Sequence, residues 1–206
     1  MITQEILSLI SLTLLVSAIA IQSQSYIKPM IRTIILQSVL LGAITALVGF
    51  EESSYELYLL AVLIVFLRGV LISYVLEQRL PRNNKFVREY LPGVASLTLV
   101  SIVVIMLSFL LYYFAFFGKL GSPIGAIGLS LMVQGVLLIM TRKNSFAHVI
   151  GYIEEENGII FIGLSWAPLP LLVEINVLLD VFGLVIVSSV LVFEAKEHYV
   201  VQELIG

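Results

Sequence analysis

Cysteine is absent from the 206 residues. That excludes disulfides, thiolate-held iron–sulfur clusters and cysteine-based metal sites in this chain. Histidine is nearly as scarce: His148 and His198 lie far apart, each near a predicted membrane boundary, and do not suggest a paired haem or a histidine-rich metal site. Charged residues make up only 12% of the sequence, about half the share of an ordinary soluble domain. No phosphate-binding glycine loop, nucleophile elbow or zinc motif occurs, so if the chain serves an oxidoreductase the catalytic chemistry is expected elsewhere. No cofactor and no nucleic-acid partner is expected for this chain. Strands of alternating polar and apolar residues, the mark of a membrane barrel, are also missing.

What the sequence does contain is apolar residues. They account for 60% of it, and mean hydropathy is +1.09. They fall into segments long enough to cross a hydrocarbon core about 30 Å thick as helices rising about 1.5 Å per residue. The expected fold is therefore all-α, a polytopic membrane protein of about seven helices surrounded by lipid. The predicted helices run over 5–21, 33–50, 57–76, 93–117, 122–140, 146–166 and 171–193. The first is read as a membrane helix rather than a signal peptide, because Met1–Glu5 lacks a basic region and Ala20–Ser23 is a weak cleavage site. Pro123 suits a helical first turn, and Pro168 and Pro170 separate the last two helices.

If the helices alternate direction, Lys28, Arg32, Arg79, Arg82, Lys85, Arg88, Arg142, Lys143 and Lys196 share one face. The acidic loop with Glu51, Glu52 and Glu56 falls opposite, with Lys119. The positive-inside rule then places the N-terminus outside and the C-terminus in the cytoplasm. The basic loop from Glu77 to Pro92 divides a front part, 1–92, from a rear part, 93–206. Small residues predict close helix contacts at Gly121, Gly125, Ala126 and Gly128, and again at Gly151, Gly158 and Gly163. Gln37 and Gln134 are expected to hydrogen-bond between helices.

Three ionisable residues reach one depth. Glu156 is about 15 Å into helix six, Asp180 about 14 Å into helix seven and Arg68 about 16 Å into helix three. Each costs at least a few kcal/mol in lipid, so each should face other helices, water or partner chains. A carboxyl held between burial and a nearby cation can take up and release a proton. The group therefore reads either as an ion or proton relay or as charge pairs that hold helices together. Glu154 and Glu155 extend the acidic run, and three successive carboxylates spread over about 200° of helix surface, too wide for one partner. Glu174, near the outer start of helix seven, is a relay candidate or a helix N-terminal acid. Asn176 adds a polar contact near Asp180. His148 is a candidate for passing protons between water and Glu156.

The run Arg142-Lys143-Asn144-Ser145-Phe146-Ala147-His148-Val149-Ile150-Gly151-Tyr152, followed by Glu156-Asn157-Gly158-Ile159-Ile160-Phe161, resembles hydrogenase-4 component E, the HyfE-like membrane subunit of complex-I-related hydrogenases. Pro170-Leu171-Leu172-Val173-Glu174 and Val177-Leu178-Leu179-Asp180-Val181 continue the likeness, and Ile27-Lys28, Arg32 and Gln37-Ser38 carry it weakly into the front part. Residues 122–193 also resemble the NuoK/MrpC type of complex I and antiporter subunit. The resemblance implies a non-catalytic subunit whose carboxylates, Glu156 first, then Glu174 and Asp180, belong to a proton or cation path. It also implies antiporter-like and other small membrane subunits as partners, with a cytoplasmic redox arm holding a nickel–iron centre and iron–sulfur clusters. Glu154 and Glu155 depart from the apolar residues usual before the family motif.

Overall fold

A computed structural model describes residues 2–79, 93–116, 123–166 and 174–189. Most of the predicted basic loop, the turns at 118–121 and 167–170, Gly121, Lys196 and His198 lie outside the described residues. The described residues form seven helices and no sheet. We number them α1 (Ile2–Gln22), α2 (Ile27–Glu51), α3 (continuous through Tyr55–Leu63, Ile64–Ile72 and Ser73–Arg79), α4 (Val94–Phe116), α5 (Pro123–Thr141), α6 (Ser145–Trp166) and α7 (residues 174–189). Five of them are long and apolar enough to cross a bilayer by length and composition. α6 is as long as these, but three acids interrupt it. The chain is a multi-pass membrane protein.

Backbone chemistry explains why these segments are helical. In lipid every N–H and C=O needs a partner within the segment, and hydroxyls need one too. Ser11, Ser38, Thr45, Ser130 and Thr141 each donate to the carbonyl four residues earlier, at 2.7–3.0 Å. Such back-bonding lets an apolar span carry hydroxyls without water.

α2 begins six residues earlier than the predicted Thr33. Pro29 occupies the third helical position, where a missing N–H removes no helical bond. Lys28 and Arg32 therefore sit on the first turns of α2 rather than in a loop. The α2–α3 turn closes tightly: Ser53 takes a left-handed conformation at φ 52°, and the Ser54 N–H donates to the Gly49 carbonyl at 3.0 Å.

α6 is central, packing against α5 and α2, while α1 packs on α2, α4 and α5. Glycines set the α5–α6 distance. Gly135 faces Gly151, and Gly128 faces Gly158; a methyl on Gly151 would lie 2.8 Å from the Gly135 carbonyl oxygen. Without a hydrophobic drive between helices in lipid, this close backbone approach supplies the packing attraction. Gly128, Gly151 and Gly158 follow the sequence expectation. Gly125 also follows it, its close neighbour being the Tyr112 ring on α4.

Two apolar clusters fill the interior. One joins Ile27, Met30, Ile31, Ile34, Ile72, Leu76, Leu138, Phe146, Ile150 and Ile153. The other joins Leu14, Leu41, Ile44, Leu57, Leu60, Ile64, Leu131, Ile160 and Phe161. On α2, α3 and α6 the clusters stop six or seven residues short of each other, at 35–40, 65–71 and 154–159. The gap is filled by polar side chains.

Candidate functional site: a buried polar layer

The gap on α2 is Gln37, on α3 Arg68, and on α6 Glu154, Glu156 and Asn157. All five are buried, as are Asn176 and Asp180 of α7. Arg68 is completely enclosed, at 0% exposure, and stands in the middle of a stretch of α3, Ile64–Ile72, whose turns widen to i→i+5 hydrogen bonding. Wide turns of this kind are uncommon and frequent at functional sites. Ser73 returns its hydroxyl proton to the Arg68 carbonyl at 2.9 Å, across five residues.

The Arg68 guanidinium reaches two helices at once. Its Nε donates to Asp180 Oδ1 at 2.8 Å, and Nη2 lies 2.7 Å from the same oxygen. Nη2 also donates to Asn176 Oδ1 at 2.9 Å and lies 3.4 Å from Glu156 Oε2. Nη1 donates to Asn157 Oδ1 at 3.2 Å. Asn176, one turn before Asp180 on α7, donates to Asp180 Oδ2 at 3.1 Å, so both oxygens of that carboxylate are engaged. This is the arrangement for which arginine is suited, with several fixed donors on one planar cation.

A second branch leaves through Asn157. Its Nδ2 donates to Gln37 Oε1 at 3.4 Å, and Gln37 Nε2 donates to Glu154 Oε1, also at 3.4 Å. Donors thus point the same way from Arg68 to Asn157 to Gln37 to Glu154, crossing α3, α6, α2 and α6 again. Bonds aligned in series polarise one another. Tyr152, one turn before Glu156, lies beside the Glu156 carboxylate and donates to the Leu179 carbonyl of α7 at 3.2 Å. Among the described residues, Glu154 Oε2 and Glu156 Oε1 have no hydrogen-bond partner although both are buried.

The structure therefore brings Arg68, Glu156 and Asp180 into direct contact and adds Glu154 through two amides. It does not bring the other candidates in. Glu174 is exposed at the start of the described part of α7. His148 holds the Arg142 carbonyl at 2.6 Å through Nε2, about 12 Å along α6 from Glu156. Glu155 is half-buried and makes no ion pair with Arg68. Gln37 bonds between helices as expected, but to a member of the site. Gln134 has a separate structural role, exchanging two bonds with Ser101 and accepting one from Gln22.

Tyr152 escaped the sequence reading. Its one available signal was its spacing, i−4 from Glu156, which sets both on one helix face. No group of three or more His, Cys, Asp or Glu residues able to hold a metal ion occurs among the described residues. The polar layer thus offers one cation, three enclosed carboxyls and a set of amides to whatever passes through it. No family model, curated protein or solved structure matches the chain.

Proposed function

We propose that this chain is a membrane subunit of a proton- or cation-translocating assembly, and that the Arg68, Glu156, Asp180 and Glu154 layer forms part of its ion path. The observation that carries the reading is the charge content of that layer. Arg68 stands against Glu154, Glu156 and Asp180, all at most 4% exposed, which leaves two carboxyls without a cation among the described residues. Burying uncompensated charge at this depth costs several kcal/mol. Two protons or small cations taken up here would remove that cost, and their movement is the function the layer can perform.

The apolar clusters on either side argue for the direction of transfer. They close the layer toward both membrane faces, so the polar side chains run in the membrane plane rather than through it. A path of that kind serves ions handed between neighbouring subunits. Combined with the sequence resemblance, this supports a HyfE-like subunit of a complex-I-related nickel–iron hydrogenase or similar oxidoreductase. In that reading the N-terminus is outside, the C-terminus is cytoplasmic, and antiporter-like membrane subunits and a cytoplasmic redox arm are its partners.

A second reading has its own support. The two contacts of Arg68 with Asp180 Oδ1 tie α3 to α7, which suits a scaffold whose buried charges serve assembly. The test is Glu156→Gln in the native assembly, purified with its partners, with redox turnover and ion uptake into sealed vesicles measured together. Relay predicts a normally assembled, redox-active complex with ion uptake lost. Scaffold predicts that activity and complex abundance fall together.

A further inference from the structure

Tyr152 stands one turn before Glu156 on α6. A helical side chain leans back toward the preceding turn, which directs the Glu156 carboxylate toward Tyr152. Both meet α7 at a bare stretch of its backbone: a methyl on Gly183 would lie 3.2 Å from Tyr152 Cε1 and 3.6 and 3.7 Å from the two Glu156 oxygens. The Tyr152 hydroxyl donates to the Leu179 carbonyl at 3.2 Å. In the helix that carbonyl also takes the N–H of Gly183, so the hydroxyl is its second donor.

The two acids beside Arg68 are not equivalent. Asp180 has both oxygens engaged, Oδ1 by Arg68 and Oδ2 by Asn176. Glu156 has Oε2 at 3.4 Å from Arg68 Nη2, while Oε1 is buried with no hydrogen-bond partner among the described residues. Oε1 is therefore the open position for a proton. The Tyr152 hydroxyl lies beside this carboxylate yet is spent on Leu179, in a bond longer than the usual hydroxyl value of about 2.8 Å. A hydrogen bond to an ionised carboxylate is roughly twice as strong as one to a neutral carbonyl. The choice between the two acceptors is thus set by the charge on Glu156. The charged groups that act on that carboxylate are Arg68 of α3, Asp180 of α7 and the adjacent Glu155.

We propose that Tyr152 is a positioning residue that couples the proton on Glu156 to α7. Its hydroxyl donates to the Glu156 carboxylate when that group is charged, and to the Leu179 carbonyl when Glu156 holds a proton on Oε1. Tyr152 keeps its own proton throughout, and only the direction of its O–H changes. Leu179 directly precedes Asp180, so the hold of α6 on α7 beside Asp180 tightens with proton uptake at Glu156 and slackens with release. The inference rests on the proposed reading of Glu156 as a relay carboxyl. It adds that the ion is a proton, where it sits, and how its arrival reaches the helix that carries the second acid.

Infrared difference spectra of the native assembly in membranes, between acid and alkaline buffer, test this. The protonated-carboxyl band that Glu156→Gln abolishes belongs to Glu156. A component of the tyrosine C–O band should change together with it, and should disappear in Glu156→Gln and in Tyr152→Phe alike. A tyrosine spectrum that Glu156→Gln leaves unchanged overturns the proposal, and that comparison does not depend on how well Tyr152→Phe assembles. Where Glu156→Gln abolishes ion uptake into sealed vesicles, Tyr152→Phe in a normally assembled complex should lower uptake about tenfold, the equivalent of one hydrogen bond to a charged group. Uptake equal to that of the parent assembly overturns the proposal. The two ideas fail separately. Loss of uptake in Glu156→Gln with an unmoved tyrosine spectrum removes only the Tyr152 switch, and undiminished uptake with the tyrosine component lost removes the relay and keeps the switch.

Discussion

At the residue scale, Arg68 and Asn157 connect everything else. Removing Arg68 leaves Asp180 and Glu156 buried with no cation against either, and breaking a buried pair in this way costs about 3–5 kcal/mol. Arg68→Gln should therefore lower the midpoint of thermal unfolding in detergent and the yield of the protein. Arg68→Lys should restore little, because one ammonium cannot reach Asn157, Asn176 and Asp180 together as the guanidinium does. Asn157→Ala has a narrower effect. It strands an Arg68 donor and Gln37 Oε1, a loss of about 1–3 kcal/mol, and it separates Glu154 from the other acids. If both branches carry ions, uptake in vesicles should fall with Asn157→Ala by more than the loss of folded protein accounts for. An uptake that falls only in step with folded protein would confine the path to the Arg68 and Asp180 branch. The acids and the arginine were legible from depth along each helix. That Gln37 bonds between helices was legible too, but not that it and Asn157 join Glu154 to Arg68, because an interhelical amide does not name its partner.

At the scale of the element, the seven helices follow from hydropathy and length alone, and most ends fall within two residues of expectation. The wide-turned run of α3 was invisible, since a periodicity of 3.6 is assumed in reading any helix and Ile64–Ile72 is apolar enough to pass as an ordinary span. The α5–α6 contact was half legible. Gly128, Gly151 and Gly158 stood out, whereas Gly135 lay alone in an apolar run and drew no notice. Structure gives Gly135 the tighter test: any Cβ there meets the backbone of Gly151 and Glu155 rather than a flexible side-chain end. Gly135→Val should therefore force α5 and α6 apart, at a cost of about 1–3 kcal/mol, read as an earlier unfolding midpoint. A midpoint equal to that of the parent chain would show that the two helices are free to separate.

At the scale of the whole molecule, the proposed orientation can be read without any assumption about activity. Ser53, in the α2–α3 turn, and Lys143, in the α5–α6 turn, are exposed and lie at opposite ends of the bundle if the helices alternate. With Ser53→Cys and Lys143→Cys made singly, a membrane-impermeant maleimide should label position 53 in intact cells and position 143 only after permeabilisation. The opposite pattern would invert the chain and place its acidic turn in the cytoplasm, against the positive-inside rule.

The pairing of Arg68 with α7 also bears on how the protein is made. The two residues of this ion pair, Arg68 and Asp180, are 112 positions apart. At common rates of synthesis that separation corresponds to roughly 5–20 s of elongation. For that interval α3 is in or beside the membrane insertion machinery with its guanidinium at mid-bilayer depth and its carboxylate not yet translated. The ribosome therefore delivers this protein through an obligatory waiting state, in which a water-filled insertion site, or a helix already present, holds a charge that the finished bundle will enclose.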